Sequence, residues 1–502
     1  MRYNILKLKL RLVWLVIFIA GVSLFSHAQL TLTIEKALEI AEENNPSMKQ
    51  SKLSLERTQY NLDAQRTGLK PQFSLNVNPF SYSQTRSFDN RYSEWYTTKS
   101  LASNGTFRAE LPLIWTDGTL SLTNRFGWQD SESMGQTGIN NNKAFTNNLN
   151  LRFDQPIFTY NRQRMTLTQL EFDYENAEIS YALQRLTTEQ SITNSFYNVY
   201  MYMNNLEISE AELQNAETNY EIINYRVNAD LAAREELFQA EVNLAQARST
   251  VETNLVRLEN QKDQLKQTLG MPLDTDIAVE VTLDVSTMLI DSEKAIQQGL
   301  SSRMELRQRE ISMELADLQM ITVKANNAFN GNVALSLGIT GDNKYLGNIY
   351  ETPTNSPSVS LSFSIPIFDW GQRKARIRAQ ETAQTIAQLN YEDEIVSIEL
   401  AIRQSLRNLA NIRNQIEISE KQVENTLRTY ALYQIRYREG ELTGLQMSQY
   451  QAQVSNSRSS LAQQQISYKT ELLNLKILTL YDFENDMPIV PVKGLTNIST
   501  RF

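Results

Sequence analysis

The stretch that decides the fold is SIPIFDWGQRKARIRAQ, Ser364 to Gln380, where bulky apolar residues around a proline give way to a glycine and a run of positive charge. A related stretch, DQPIFTYNRQRMTLTQ, begins at Asp154, and its Pro156 precedes Pro366 by 210 positions. Proline cannot donate to a sheet ladder, and its ring fixes the φ angle. Both stretches therefore predict a joint at which a strand ends and a helix begins.

A long segment without glycine or proline follows each joint, over residues 161–226 and 372–439. At 1.5 Å per residue, each segment predicts a helix on the order of 100 Å long. Apolar residues of the second segment recur in steps of three, four or seven, which predicts a narrow packing stripe of the coiled-coil type. Breaks at 227–237 and 438–447 then lead into shorter periodic segments, so we expect two helical hairpins.

Four segments alternate apolar and polar residues, at about 72–80, 147–157, 331–340 and 357–367, which is the period of a strand with two unlike faces. A soluble antiparallel sheet packed on one face would give the same alternation. The segments approach the ~9 to 11 residues of a tilted membrane strand, and serine and asparagine dominate one side, which favours a membrane barrel with a hydrated lumen. Between the first two strands, we expect an additional hairpin that turns at Asp117 and extends the outer loop.

The predicted elements recur in two halves. EKAL at Glu35 aligns with EKAI at Glu293, and QAEV at Gln239 pairs with QAQV at Gln451 if the second turn holds two extra residues. The first predicted repeat covers 29–272 and contains helices at 161–226 and 231–270. The second covers 273–481 and contains helices at 372–438 and 445–480. A C-terminal tail at 482–502 follows.

Four strands per chain cannot close a membrane barrel, for which about eight is the smallest number. Open sheet edges in lipid leave unpaired backbone groups, which cost several kcal/mol each. If these are membrane strands, the chain must therefore oligomerise. A dimer would supply eight strands and a trimer twelve, and only the trimer is expected to leave an open conduit.

Residues 1–28 predict a secretory signal peptide, because basic residues precede the apolar run 12–25, and Ser26 and Ala28 occupy small-residue cleavage positions. The alternative, a membrane anchor, would need about 20 apolar residues. Removal of the segment takes four positive and no negative charges, which changes the net charge from −9 to −13. Such an acidic chain is not expected to bind nucleic acid.

Few residues for chemistry remain in the mature chain. It has no cysteine, and the single histidine, His27, lies in the predicted signal peptide. Disulfides, thiolate ligands, a lipid-modified cysteine and imidazole catalysis are thereby excluded. The carboxylates are scattered at the spacing of solvated helix faces. We therefore expect no enzyme, no catalytic residue, no cofactor and no metal site.

The chain resembles the TolC-type outer-membrane efflux proteins in three stretches. These are LTLTIEKALEIAEENNPSMKQSKLSLERTQYNLDAQRTGLKPQFSLNV at 30–77, the two PIF joints, and NADLAAREELFQAEVNLAQAR at 228–248. The resemblance implies an α+β membrane protein in the cell outer membrane. In it, a homotrimer forms a twelve-stranded transmembrane β-barrel in lipid, and the long hairpins form a periplasmic α-barrel. It further implies a passive exit duct of a tripartite efflux pump, coupled by a periplasmic adaptor (a membrane fusion protein) to an inner-membrane RND or ABC transporter.

The resemblance also places a periplasmic gate and an adaptor contact at the turns between paired helices. The gate candidates are Glu235, Glu236, Tyr437, Ser448 and Gln451. The adaptor-contact candidates are Arg226, Asp230, Arg234, Arg436, Arg438, Glu439 and Gly440. Ser448 and Gln451 stand where aspartates are typical of the family, which argues against a double acidic ring. The glutamates could instead be ordinary carboxylates at a helix start, and the charged turns could be solvated surface.

Other functions share some or all of this pattern. The outer-membrane component of a type I protein secretion system would share all of it. A periplasmic adaptor also has a helical hairpin, but it would need one hairpin flanked by lipoyl-like strands rather than two halves. A specific porin or an outer-membrane enzyme is disfavoured by four strands and by the large helical share of the chain.

Overall fold

The computed structural model describes residues 30–90, 93–135, 138–281, 288–326, 328–439 and 441–489. The predicted signal peptide and the end of the predicted tail lie outside these residues. The chain divides into two compact units. We call residues 54–179 and 305–394 the sheet unit, and the segments before 54, at 180–304 and after 394 the hairpin unit.

The α-helices of the described residues match in pairs of equal length. In chain order they are α1 Ile34–Asn44, α2 Pro46–Gly68, α3 Arg162–Asn228, α4 Arg234–Leu269, α5 Ser292–Ser302, α6 Met304–Asn326, α7 Gln372–Arg438 and α8 Gly444–Thr479. Helices α3 and α7 both have 67 residues, and α4 and α8 both have 36. In each of these two pairs, the second helix begins 210 positions after the first.

The prediction that the second turn holds two extra residues is therefore wrong. The turn after α3 is closed by a bond from the Leu231 N–H to the Arg226 carbonyl oxygen at 2.8 Å, and the turn after α7 by a bond from the Glu441 N–H to the Arg436 carbonyl oxygen at 2.9 Å. The same backbone turn requires the same number of residues, so the offset stays at 210. Gln451 consequently corresponds to Glu241, and not to Gln239 as the matching letters suggest.

The main sheet has six strands among the described residues, and the prediction of four strands per chain is wrong. Every neighbouring pair is antiparallel, in the order β2-β3-β4-β5-β7-β8. The bounds are β2 Gln72–Asp89, β3 Glu94–Leu113, β4 Gly118–Gly135, β5 Gly138–Ile157, β7 Asn330–Asn343 and β8 Thr354–Ser364. Apolar and polar residues also alternate in much of the segment between the first two predicted strands. This segment can therefore lengthen β2 and β5 and form β3 and β4 between them.

The turn at Asp117 lies at the opposite end of the sheet from the predicted outer loop. Leu113 pairs with Gly118, and Thr119 pairs with Asp154, three residues before β5 ends. The turn is therefore level with the start of β2 and the end of β5, next to the helices. The turn lies at this end because β3 and β4 are long. They run the whole height of the sheet instead of forming a short hairpin beyond it.

The cross-strand register gives the sheet two unlike faces. One cross-strand row runs through Phe73, Ala109, Leu122, Leu151 and Leu337, so these side chains share one face. We call this side the apolar face and the other the polar face. Members of the polar face include Ser74, Asn76, Thr106, Thr123, Asn148, Asn150, Ser336, Ser358 and Ser360.

The core of the hairpin unit forms around a short parallel pair, β1 Leu30–Leu32 with β6 Ile277–Val279. Apolar side chains of α1, α3 and α4 pack against this pair. The completely buried or nearly buried members include Leu32, Ala37, Ala41, Ile192, Phe196, Val199, Leu265, Leu269 and Ile277. Burying one such large side chain contributes roughly 1.5–3 kcal/mol, so this core anchors the ends of several chain segments.

Part of the predicted C-terminal tail is folded. β9 Tyr481–Asp482 pairs antiparallel with β10 Met487–Pro488, and the Lys294 ammonium lies 2.6 Å from a carboxylate oxygen of Asp486. The tail therefore begins as a small hairpin held to α5.

Candidate gate at the helical turns

Three of the five residues predicted for the gate line a cavity of about 850 Å³ towards the ends of four helices in the hairpin unit. Helices α3, α4, α7 and α8 all contribute to its wall. Of the predicted gate and adaptor residues, the cavity wall contains Arg226, Tyr437, Glu439, Ser448 and Gln451. Most of the remaining wall is uncharged and polar, with many asparagine and glutamine side chains.

Tyr437 joins the two hairpins, because its hydroxyl contacts Oδ1 of Asn219 on α3. Burial raises the pKa of Tyr437 above its ordinary value; the positive charge of Arg226 opposes this rise and the negative charge of Glu236 adds to it. The hydroxyl therefore stays protonated at neutral pH and donates to the amide oxygen. Helix α8 also approaches α3 closely where α8 begins. A Cβ added at Gly444 would lie 3.3 Å from the side-chain amide nitrogen of Asn219.

The other predicted residues are not brought into this cavity. Glu235 and Glu236 are exposed in the first turn of α4, whose cap residue Ala233 makes no side-chain hydrogen bond. Carboxylates at that position are favoured by the helix macrodipole whatever their function. Asp230 is exposed and adopts a left-handed φ of 57°, and Arg234 is also exposed.

In the second turn, one predicted residue, Arg436, forms an ion pair. The Arg436 guanidinium lies 3.4 Å from a Glu441 carboxylate oxygen, and both side chains are more than half exposed. Such a pair contributes about 0–1 kcal/mol. The side chain of Arg438 and all of Gly440 lie outside the described residues.

Sequence reasoning missed Asn219, the partner of Tyr437. Asn215, Asn219, Ile222 and Arg226 all line the cavity, and their spacing of four, three and four places them on one side of α3. This polar stripe on a helix that must pack on its neighbours was a usable signal. No residue type in it demands a function, so the pairing with Tyr437 could only be found in the structure.

The joints between strand and helix contain a second missed group. Pro156 is the penultimate residue of β5, and Pro366 lies two residues beyond β8. At the first joint the buried side chain of Asp117 accepts a hydrogen bond from the Gln163 backbone N–H at 3.0 Å and one from Nε of Arg162 at 2.9 Å. The β3–β4 turn thus caps the beginning of α3, where backbone N–H groups lack partners.

Neither a metal centre nor an apolar spanning helix occurs in the part of the chain that the structure describes. Its His, Cys, Asp and Glu residues form no group of three or more that could hold a metal ion. Its helices include none that is long and apolar enough to cross a membrane.

Paired long helical hairpins and a two-faced antiparallel sheet, connected by proline joints, are the architecture that the resemblance in the sequence implies. The chain belongs to the outer membrane efflux protein family, whose model matches residues 119–271 and 295–479. The family resemblance expected from the sequence is thereby confirmed.

Individual relatives are distant. The chain is 24% identical over 310 residues to the cation efflux system protein CusC of Escherichia coli K12, covering 58% of this chain and 64% of CusC. It is 22% identical to the toluene efflux pump outer membrane protein TtgI of Pseudomonas putida, covering 52% of this chain and 55% of TtgI. The chain thus matches less than two thirds of the length of these curated relatives.

The fold is also that of a solved channel. The crystal structure of the Campylobacter jejuni CmeC outer membrane channel matches with a TM-score of 0.68 at 15% identity, covering 89% of this chain and 85% of CmeC. At this identity the likeness establishes the fold alone.

Proposed function

We propose that this protein is the outer-membrane channel of a tripartite efflux pump, and that it acts as a passive exit duct without chemistry of its own. The observation that carries the proposal is the sheet with one apolar and one polar face, together with two helices of 67 residues. An apolar outer surface suits lipid, and a face of serine, threonine and asparagine suits a water-filled lumen. Membership of the efflux family supports the same function.

The proposed assembly is a homotrimer with eighteen strands, in place of the twelve expected from the sequence. Strands β2 and β8 are the two edges of the sheet, and an exposed edge cannot remain open in lipid. Because six strands alternate in direction, β8 of one copy runs antiparallel to β2 of the next, so copies can close a ring. Six strands alone fall short of the smallest membrane barrel, and eighteen lie in the range that encloses an aqueous channel.

The proposed localisation is the cell outer membrane, with the helical hairpins in the periplasm. The turns that end the hairpins would meet a periplasmic adaptor, and an inner-membrane RND or ABC transporter would supply the energy. Relatives are named for cations and for toluene, which supports a duct that leaves selection of cargo to the pump. The equal helix lengths support an origin by internal duplication.

The proposed function is tested by complementation. A strain from which the gene is deleted should accumulate a fluorescent pump substrate, and the full chain should restore its efflux. The purified mature protein should migrate as a heat-modifiable oligomer that requires detergent. A stable monomer without detergent would contradict the duct.

We further propose that the contact between Tyr437 and Asn219 holds the helical end closed. Tyr437→Phe removes only the hydroxyl, and the loss of a hydrogen bond worth about 1 kcal/mol should raise the open population about fivefold. We expect a comparable rise in single-channel open probability and greater sensitivity of cells to a large antibiotic. Asn219→Ala should give the same phenotype.

Tyr430→Phe is the matched control. Tyr430 lines the same cavity on the same helix, but its hydroxyl makes no hydrogen bond with a described residue. This variant should behave as the wild type. An unchanged open probability in both Tyr437→Phe and Asn219→Ala would remove the gate assignment while leaving the duct intact.

A further inference from the structure

We infer that the polar face of the sheet carries an anion-binding cluster, formed by Arg108, Arg125 and Arg152, that acts on negatively charged solutes inside the barrel. The inference rests on the proposed function, because it takes the polar face to line the lumen. The ligand class is a carboxylate, phosphate or sulfonate group carried by the passing solute.

Cross-strand register brings the three arginines together. Arg108 on β3 lies opposite Thr123, Arg125 on β4 lies opposite Thr106, and Arg152 on β5 lies opposite Ser121. The three side chains therefore project from adjacent strands on the same face, within a few cross-strand rows. Adjacent strands are only about 4.8 Å apart, so the guanidinium groups share one region of that face.

A cavity of about 1040 Å³ opens at this cluster, and all three arginines contribute to its wall. The wall also contains the two carboxylates of this region, Glu110 and Asp154, and otherwise uncharged polar residues with few exceptions. In the neighbouring strands β2 and β7, the polar face at these rows presents uncharged residues, such as Ser74 and Asn76 on β2 and Ser336 and Thr340 on β7. The arginines thus form a charged belt on a face that is elsewhere nearly uncharged.

Only one of the three arginines has its charge compensated among the described residues. Arg152 binds both carboxylate oxygens of Asp154, through Nε at 2.6 Å and a terminal nitrogen at 2.7 Å. Arg108 and Arg125 are exposed and form no ion pair with a described residue. Each guanidinium keeps the planar set of donors that suits carboxylate and phosphate groups.

Positively charged side chains that line a pore favour the passage of anions. Rings of arginine or lysine line anion and phosphate pores. In the proposed trimer, three copies of the belt would lie at one height of the barrel. The belt would then raise the local concentration of anionic solutes at that height and lower that of cations.

The test uses the absence of cysteine from the whole chain. Thr123→Cys places one thiol on the polar face opposite Arg108, and Ser131→Cys places a matched thiol on the same face of β4, opposite Ser100 and away from the arginines. Both variants are treated in outer membranes with an anionic and with a cationic methanethiosulfonate. Each rate of cysteine modification is divided by the rate at which the same reagent modifies a free thiol in solution.

We expect the ratio of the anionic to the cationic rate to be about tenfold higher at Thr123→Cys than at Ser131→Cys, because fields of this kind raise local counter-ion concentrations by that order or more. Combining Thr123→Cys with Arg108→Gln and Arg125→Gln should bring its ratio down to that of Ser131→Cys, and Arg108→Lys with Arg125→Lys should preserve it. High salt should also remove the preference in the chain with intact arginines. This salt measurement needs no arginine variant to fold.

Equal ratios at the two positions, or a preference insensitive to both salt and arginine replacement, would overturn the anion-binding belt and leave the duct standing. A third variant separates failure of the proposed function. Leu122→Cys lies on the apolar face, and its thiol should be protected by lipid. If Leu122→Cys reacts with the charged reagents and Thr123→Cys does not, the polar face is not the lumen, and the proposed barrel and the belt are both wrong.

Discussion

Gly270→Ala is expected to reduce accumulation of the folded protein strongly. Gly270 ends α4 with a left-handed φ of 72°, and a Cβ there would lie 2.3 Å from the Asn44 carbonyl oxygen and 2.6 Å from its carbonyl carbon. Both are backbone atoms, which cannot rotate away as the end of a flexible side chain can. Strained φ alone costs about 1 kcal/mol, and the clash brings the expected loss to about 3 kcal/mol or more.

The position matters because several segments of the hairpin unit meet at this point. The Asn45 side chain donates to the Thr268 carbonyl oxygen at 2.6 Å, and its oxygen accepts the Met48 N–H at 2.9 Å. Leu265 and Leu269, just before the glycine, are completely buried in the core. A shift of Asn44 to admit the methyl group would therefore disturb the start of α2 and the core together.

Gly68→Ala is the matched control. Gly68 ends α2, and a Cβ there would have no atom within 4 Å. This variant should assemble as the wild type, whereas Gly270→Ala should yield little heat-modifiable oligomer and a lower urea midpoint. Equal oligomer yields and equal urea midpoints for the two variants would contradict the role given to the contact between Gly270 and Asn44.

Removing β3 and β4 is expected to narrow the barrel by about a third, because barrel diameter grows roughly linearly with strand number. The variant replaces residues 90–137 by Asn-Gly, the favoured two-residue hairpin turn. It joins the end of β2 directly to the start of β5. In the proposed trimer, the strand number would fall from eighteen to twelve.

The register indicates that β2 and β5 can pair after this deletion. Phe73 is level with Leu151, and Leu75 is level with Leu149, when the rows are followed across β3 and β4. All four residues belong to the apolar face. The two-residue turn would pair Asp89 with Gly138 and shift this alignment by two residues, so both faces would be preserved. Helix α3 would lose its contact with Asp117 but keep Asn161, whose side chain accepts the Arg164 N–H at 2.8 Å.

The measurement is the largest polyethylene glycol that enters the channel from the barrel side, judged by the fall in its conductance. The cutoff radius should drop by about a third in the deletion variant. A control that replaces only residues 90–93 by Asn-Gly keeps all six strands and should retain the wild-type cutoff. An assembled deletion variant with an unchanged cutoff, or one that fails to assemble, would contradict the structural role given to β3 and β4.

Local pattern was sufficient for much of this protein. Helices without glycine or proline, strands with two unlike faces, and prolines near the junctions are properties of short windows, because helix and strand periods act over a few residues. The absence of cysteine and the single histidine likewise needed no structure. The resemblance to the efflux family depended on the order of these local features along the chain.

Tertiary structure decided what depends on pairing between distant residues. The alternation in residues 94–135 did not show whether the segment would extend the sheet or stand beyond it, and only the register with β2 and β5 placed its turn beside α3. Tyr437 was recognised, but Asn219 is 218 residues away in sequence. The convergence of Arg108, Arg125 and Arg152 follows from the alignment of three strands, since a shift by one residue would move any of these side chains to the opposite face.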